Sequence, residues 1–118
     1  MTKNILLIED EPLIQRTIKI FLERKGSQVT ATSSGREAIE LIINNTYDLI
    51  ICDLMLNDIT GFDVIEDSKK KLSPDEISEK FVIITAYSSE QIISKAEQYG
   101  CKIYPKPLDV SAVIDELL

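Results

Sequence analysis

The sequence of 118 residues contains no histidine and only two cysteines. Without histidine, the chain has no Ser-His-Asp triad, no Cys-His pair and no histidine-based zinc site. Any phosphohistidine that takes part in phosphoryl chemistry here must therefore belong to another molecule. Cys52 and Cys101 lie far apart without Cys-x-x-Cys spacing, and this favours buried free thiols in a reducing cytosol over a disulfide.

Long apolar runs and an excess of basic residues are also missing. No run approaches the ~20 residues of a membrane-spanning helix, and no secretory signal opens the chain, so we expect a cytoplasmic protein without membrane association. The formal net charge of −7 argues against direct nucleic-acid binding, which needs clustered lysine and arginine. Length and composition fit a single domain, residues 1–118, whose core needs no disulfide or structural metal.

Short apolar runs alternate with segments of helical periodicity along the whole chain. The runs at residues 4–8, 49–52 and 81–84 suit strands that are covered on both faces, and residues 29–31 and 101–104 are predicted to form two shorter strands. The helical segments span residues 12–26, 34–45, 62–70, 88–100 and 109–117. A capping signature at residues 73–76 predicts an additional short helical turn before the fourth strand.

This alternation of five strands with five helices predicts right-handed βαβ crossovers and a doubly wound α/β fold. We expect three layers, with a five-stranded parallel sheet in the flavodoxin-like strand order 2-1-3-4-5 between two layers of helices. In such sheets ligands bind outside the carboxyl ends of the strands, at the point where the strand order reverses. That point lies between strands 1 and 3.

Polar side chains follow four of the strands at this edge. Glu9 and Asp10 follow the first strand, Asp53 ends the third, Thr85 the fourth, and Lys106 follows the fifth. Two of these carboxylates ~4 Å apart would repel each other by roughly 4 kcal/mol at an effective dielectric constant of about 20. A hard divalent cation offsets this repulsion, and the all-oxygen ligands favour Mg²⁺, with Mn²⁺ as an alternative.

These groups together suit phosphoryl transfer, in which positioned cations stabilise charge on the phosphoryl oxygens. Asp53 would be the nucleophile and would form an aspartyl phosphate. Lys106 would neutralise one phosphoryl oxygen, and Thr85 would hydrogen-bond another. Taken singly, each residue also fits a plainer role in a helix cap, a turn or a solvated surface. The joint placement at one sheet edge is what favours the phosphoryl site.

Four motifs in this order resemble the response-regulator receiver domain of two-component signalling. They are residues 8–12 (IEDEP), 48–61 (DLIICDLMLNDITG), 84–86 (ITA) and 106–107 (KP). The resemblance implies a signalling domain that is not an enzyme, except that it catalyses its own phosphorylation and dephosphorylation. It implies that Asp53 accepts a phosphoryl group from a histidine kinase or a histidine phosphotransfer protein.

The resemblance also implies the ligands of the metal. Asp10 and Asp53 would bind Mg²⁺ directly, Glu9 would hold a metal-bound water, and the backbone carbonyl of Met55 would be a further ligand. The peptide bond before Pro107 is a candidate for the cis form.

Phosphorylation would draw Thr85 inward and repack the surface of the fourth helix, the fifth strand and the fifth helix toward an unknown output partner or downstream domain. The segment between Gly100 and Lys106 is one residue shorter than in the receiver family that the chain resembles. Ile103 therefore occupies the position, three residues before the lysine, where that family has its switch aromatic. Tyr104, one position later, is the candidate switch residue. Tyr87 and Met55 are expected to limit access of water to the site and to slow the loss of the phosphoryl group.

Two departures from the receiver pattern keep other functions open. Glu9 stands where the family usually has aspartate, and Asn57 replaces the usual proline, so a pseudo-receiver that serves only as an interaction module is one alternative. A phosphatase of the haloacid-dehalogenase type would need a second aspartate where Met55 stands. A flavodoxin-like FMN module would need a Ser/Thr/Gly-rich phosphate loop after the first strand, and the acidic residues there do not supply one.

Overall fold

The computed structural model describes residues 2–118, so Met1 lies outside the described residues. The strands are β1 (Asn4–Ile8), β2 (Gln28–Thr32), β3 (Leu49–Asp53), β4 (Phe81–Thr85) and β5 (Lys102–Pro105). The helices are α1 (Pro12–Arg24), α2 (Gly35–Asn44), α3 (Gly61–Ser68), α4 (Pro74–Lys80), α5 (Glu90–Tyr99) and α6 (Val110–Leu117). Within residues 2–118, no helix is long and apolar enough to cross a membrane.

The strands form one parallel sheet in the order β2-β1-β3-β4-β5. This confirms the predicted doubly wound α/β fold and its strand order. Ile8 pairs with Cys52, so the chain segments that follow β1 and end β3 leave the sheet side by side. The reversal of strand order therefore places these two segments at one crevice.

Two apolar clusters cover the opposite faces of the sheet. Ile5 and Leu7 of β1 belong to the cluster that α1 and α6 complete, whereas Leu6 and Ile8 belong to the cluster that α2, α3, α4 and α5 complete. Successive residues of a strand point to opposite faces. A strand covered on both sides is therefore apolar at nearly every position, which is why β1, β3 and β4 appear in the sequence as apolar runs, whereas the edge strands β2 and β5 also contain polar residues.

The described residues form six helices instead of five because the turn expected after Ser73 is a complete helix, α4. The Ser73 hydroxyl accepts a hydrogen bond from the Glu76 N–H, and the Glu76 carboxylate accepts one from the Ser73 N–H, both at 3.2 Å. Pro74 occupies the first helical turn, and Ile77 is buried against the sheet. The capping signature thus marks where the helix begins, and the buried Ile77 anchors the helix in the core.

Element boundaries differ from the predicted ones by one or two residues. The strand β5 lies one residue later than predicted, and α3 begins at Gly61 and ends at Ser68. Cys52 and Cys101 are both buried free thiols.

Candidate functional site

Three carboxylates converge at the carboxyl edge of the sheet. Glu9, Asp10 and Asp53 each offer one oxygen, and these oxygens all lie within 4.8 Å of one another. Glu9 and Asp53 are buried and Asp10 is half-buried. The sequence positions Asp53 as the last residue of β3, and the parallel pairing of β1 with β3 brings the two residues after β1 alongside it.

A buried lysine completes this cluster. The Lys106 ammonium nitrogen lies 2.8 Å from Glu9 Oε1, 3.1 Å from Glu11 Oε1 and 3.3 Å from Asp53 Oδ2. Only 8% of the Lys106 side chain is exposed. Its backbone N–H donates to the carbonyl oxygen of Thr85 at 2.8 Å, and its peptide bond to Pro107 is cis.

Burial and mutual repulsion set the charge state of these groups. Burial raises the pKa of Glu9 to about 7, although the Lys106 ammonium acts in the opposite direction. Burial also raises the pKa of Asp10, and the charge of Asp53 is the second cause. Burial lowers the pKa of Lys106, but the carboxylates of Glu9 and Glu11 outweigh it and hold that pKa above its ordinary value. The carboxylates outnumber the ammonium group, so the cluster favours a further positive charge.

The loop between β3 and α3 begins next to the Asp53 carboxylate. The Met55 N–H donates to Asp53 Oδ1 at 3.4 Å, and Met55 forms an isolated antiparallel bridge with Thr60. The Gly61 N–H donates to the carbonyl oxygen of Leu54 at 2.7 Å, which closes the loop. Met55 is thus held near the cluster through its backbone, while its side chain is 49% exposed.

Thr85 is buried at the end of β4, the strand next to β3. Asp53 pairs with Ile84, so Thr85 lies one residue beyond the strand partner of Asp53. The Thr85 hydroxyl oxygen accepts a hydrogen bond from the Tyr87 N–H at 2.9 Å, which leaves its own proton available for donation. The Tyr87 side chain is 59% exposed.

The side chains of Tyr104 and Thr85 project from opposite faces of the sheet. Tyr104 packs against the cluster of α1 and α6, whereas Ile103 packs against the cluster that includes Ile83. Thr85 is two residues after Ile83 in the same strand and therefore projects toward the same face as Ile83. Burial, together with the nearby Glu116 carboxylate, raises the pKa of Tyr104 to about 12. A switching role for Tyr104 stays a prediction.

Two residues at this edge were not singled out from the sequence. Glu11 contacts the Lys106 ammonium, and its N–H donates to Glu9 Oε2 at 3.1 Å. The Asp58 carboxylate accepts hydrogen bonds from the backbone N–H groups of Gly35 and Arg36, the first two residues of α2. The sequence carries no local signal for either contact, because Glu11 is 95 residues from Lys106 and Asp58 is 22 residues from Arg36.

A parallel sheet of order 2-1-3-4-5, with buried carboxylates and a buried lysine at the point where the order reverses, defines a flavodoxin-like domain with an anionic, cation-attracting site. Residues 5–117 match the family model of the response regulator receiver domain, and the chain belongs to this family.

Known proteins of this family resemble the chain over nearly all of its length. The response regulator SaeR of Staphylococcus aureus (strain USA300) is 29% identical over 103 residues, which cover 87% of this chain but 43% of SaeR. The chain thus spans less than half the length of the curated relatives it matches. The non-phosphorylated HemR receiver domain of Leptospira biflexa is 31% identical with a TM-score of 0.86, and the match covers 98% of this chain and 90% of that one.

A second solved structure is similar in fold at lower sequence identity. The CheY-like receiver domain protein of Methanospirillum hungatei JF-1 has a TM-score of 0.86 at 25% identity, with 99% of this chain and 91% of that chain covered.

Proposed function

We propose that this chain, residues 1–118, is one phosphoacceptor domain of a two-component or phosphorelay system, located in the cytoplasm. In this role, Asp53 takes a phosphoryl group from a phosphohistidine of a histidine kinase or a histidine phosphotransfer protein. The observation that carries the proposal is the position of the Asp53 carboxylate. It lies 3.3 Å from a buried ammonium group and within 4.8 Å of two further carboxylates, at the ligand-binding edge of the sheet.

The oxygen donors of this cluster fit Mg²⁺. Asp10 and Asp53 would hold the ion directly, the Met55 carbonyl would be a third protein ligand, and Glu9 would bind through a water. Carboxylates, carbonyls and retained waters are the ligands that Mg²⁺ prefers. When bound, the ion supplies positive charge that stabilises the phosphoryl oxygens. The receiver domain of PA1611 from Pseudomonas aeruginosa PAO1, which shares the fold, has a magnesium ion coordinated in its active-site cleft.

The transfer is one displacement at phosphorus. A carboxylate oxygen of Asp53 forms the new P–O bond while the P–N bond of the donor breaks, and the donor nitrogen keeps the electron pair and takes up a proton. Lys106 remains protonated because the carboxylates around it raise its pKa, so it presents a fixed positive charge to one phosphoryl oxygen. The Thr85 hydroxyl donates its proton to a second phosphoryl oxygen.

Phosphorylation would signal by changing the surface that an output partner or a downstream domain recognises. A phosphoryl group on Asp53 shifts the population of two conformations by contacting them differently. Thr85 links the phosphoryl group to α5, β5 and α6, which form the surface read by an output partner or a downstream domain. The domain is a signalling element whose chemistry is limited to its own phosphorylation and dephosphorylation.

Incubation with Mg²⁺ and acetyl phosphate, followed by intact-mass measurement, tests this function. The wild type should gain one phosphoryl group, and the Asp53→Asn variant should gain none. Asp48→Asn is the matched control, because Asp48 precedes the same strand at its opposite end and accepts a hydrogen bond from the Asn4 N–H. It should gain the phosphoryl group as the wild type does. A wild type that gains nothing would instead support a pseudo-receiver that acts only as an interaction module.

A further inference from the structure

The loop between β3 and α3 is fastened to the N-terminus of α2 by one side chain, Asp58. Its Oδ2 accepts hydrogen bonds from the Ser34 hydroxyl at 2.8 Å and from the Arg36 N–H at 3.0 Å. Its Oδ1 accepts from the Gly35 N–H and the Ile59 N–H, both at 3.0 Å. A carboxylate from a distant loop thus satisfies N–H groups that the first turn of α2 leaves unpaired.

Tight packing joins the same two segments independently of these hydrogen bonds. A Cβ atom at Gly35 would stand 2.5 Å from Cγ1 of Ile59 and 3.1 Å from Cδ1 of Leu56. Gly35 is buried, and the absence of a side chain there lets the loop approach the helix closely. The loop is therefore held on α2 by both polar and apolar contacts.

The other end of this loop is part of the candidate metal site. Met55, whose carbonyl is a proposed ligand, is three residues before Asp58, and its N–H lies 3.4 Å from Asp53 Oδ1. Asn57 lies between them, and residues 54–60 contain no proline, so the loop lacks the stiffness of a proline ring. The attachment of Asp58 to α2 supplies a restraint at this point of the chain.

We propose that Asp58 is a positioning residue of the metal and phosphoacceptor site. It touches neither the ion nor the phosphoryl group. By holding the loop against α2, it restrains the position of the Met55 carbonyl relative to the Asp53 carboxylate, and these two groups would both hold the ion. This inference rests on the proposed function, because it assigns Asp58 to the same site. Residues that support metal ligands in this way typically change metal affinity by about 10–100-fold when replaced.

Calorimetric titration with Mg²⁺ tests this role in three variants, at a temperature where each is folded. Asp58→Ala should bind Mg²⁺ about tenfold more weakly than the wild type. Asp58→Asn should lose less affinity, because its carbonyl oxygen still accepts hydrogen bonds from α2. Ser73→Ala is the matched control, since it removes the N-cap of α4, the helix that leads into the amino end of β4. It should lower the melting temperature and leave Mg²⁺ affinity unchanged.

An Asp58→Ala variant that melts earlier but binds Mg²⁺ as tightly as the wild type would overturn the inference, because Asp58 would then be a structural cap like Ser73. A wild type without Mg²⁺ affinity would overturn it as well. If the wild type binds Mg²⁺ but takes no phosphoryl group from acetyl phosphate, the proposed function fails alone. The comparison of Mg²⁺ affinities then still decides the role of Asp58.

Discussion

The Lys106 ammonium lies 2.8 Å from Glu9 Oε1, closer than its 3.3 Å separation from Asp53 Oδ2. Glu9 is fully buried. Lys106 is thus the ion-pair partner of the buried Glu9 carboxylate as well as a neighbour of Asp53. In the absence of a metal ion, the lysine is the positive charge that compensates this cluster.

Replacing Lys106 by methionine should therefore destabilise the metal-free protein. Removing one partner of a buried ion pair leaves an uncompensated charge, and protonation of Glu9 limits the loss of unfolding free energy to about 2 kcal/mol. Saturating Mg²⁺ should recover part of this loss. Urea unfolding at pH 8, in EDTA and in Mg²⁺, measures both effects. Lys102→Met, at an exposed position of β5, is the control and should change stability by less than about 0.5 kcal/mol. Equal losses for Lys106→Met in EDTA and in Mg²⁺ would contradict this expectation.

The fold was predictable from two features, the apolar runs of the strands and the handedness of the connections between them. Apolar runs arise where a strand is covered on both sides, as Leu6 and Leu7 show by belonging to opposite clusters. The handedness of crossovers then leaves few possible strand orders. The length of α4 was not predictable, because its capping signature marks only the start of a helix. The helix ends at Lys80 because Phe81 takes an extended conformation as the first residue of β4.

The site was predictable to the extent that it depends on strand ends. Parallel strands point their carboxyl ends to one edge, and the predicted neighbourhood of strands 1 and 3 at that edge brings Asp10 and Asp53 together. Contacts between loops follow no such rule. The hydrogen bonds of Asp58 to α2 depend on the path of two separate loops, and the sequence marks Asp58 only as an ordinary turn residue.

Gly61→Ala should disturb the backbone at Asp53, the proposed phosphoacceptor. A Cβ atom at Gly61 would lie 3.0 Å from the carbonyl oxygen of Asp53 and 3.2 Å from Cα of Leu54, and neither backbone atom moves easily. We expect a loss of about 1–3 kcal/mol in unfolding free energy and slower phosphorylation by acetyl phosphate. Gly26→Ala is the control, because no atom lies within 4 Å of a Cβ atom there and its cost comes only from the positive φ of 88°. It should leave phosphorylation unchanged. Wild-type stability of Gly61→Ala would refute the expected clash.

Tyr87→Ala should accelerate loss of the phosphoryl group severalfold. The Tyr87 ring follows Thr85 by two residues and is 59% exposed, and we predict that it limits the approach of water to the phosphoryl group. Decay of the phosphorylated protein, followed by intact mass after removal of acetyl phosphate, gives the rate. Tyr87→Phe keeps the ring and should decay like the wild type. Unchanged or slower decay in Tyr87→Ala would count against the prediction.

The stability supplied by Asp58 should disappear in acid. Burial acts to raise the pKa of Asp58, but hydrogen bonds from Arg36, Gly35 and Ser34 outweigh it and hold that pKa well below its usual range. A carboxylate whose pKa is lower in the folded state stabilises the protein above its unfolded pKa of about 3.9, and this stabilisation is lost as the pH falls toward the folded value.

The free energy of unfolding of the wild type should accordingly exceed that of Asp58→Asn by about 1 kcal/mol at pH 7. The difference is this small because solvent screens the exposed Asp58 carboxylate. The difference should narrow below pH ~4. Urea unfolding across this pH range measures it, with Asp67→Asn as a control for loss of one surface charge. A difference that stays constant down to pH ~2 would exclude the expected linkage.

The sheet also separates Thr85 from Tyr104, because the two side chains project toward opposite helix layers. A ring on the far layer cannot follow an inward movement of the threonine by direct contact. The main chain connects the two residues, because Ile84, next to Thr85, pairs with Tyr104 across β4 and β5. We therefore expect amide hydrogen exchange along β5 to report the proposed phosphorylated state more directly than the rotamer of Tyr104 does.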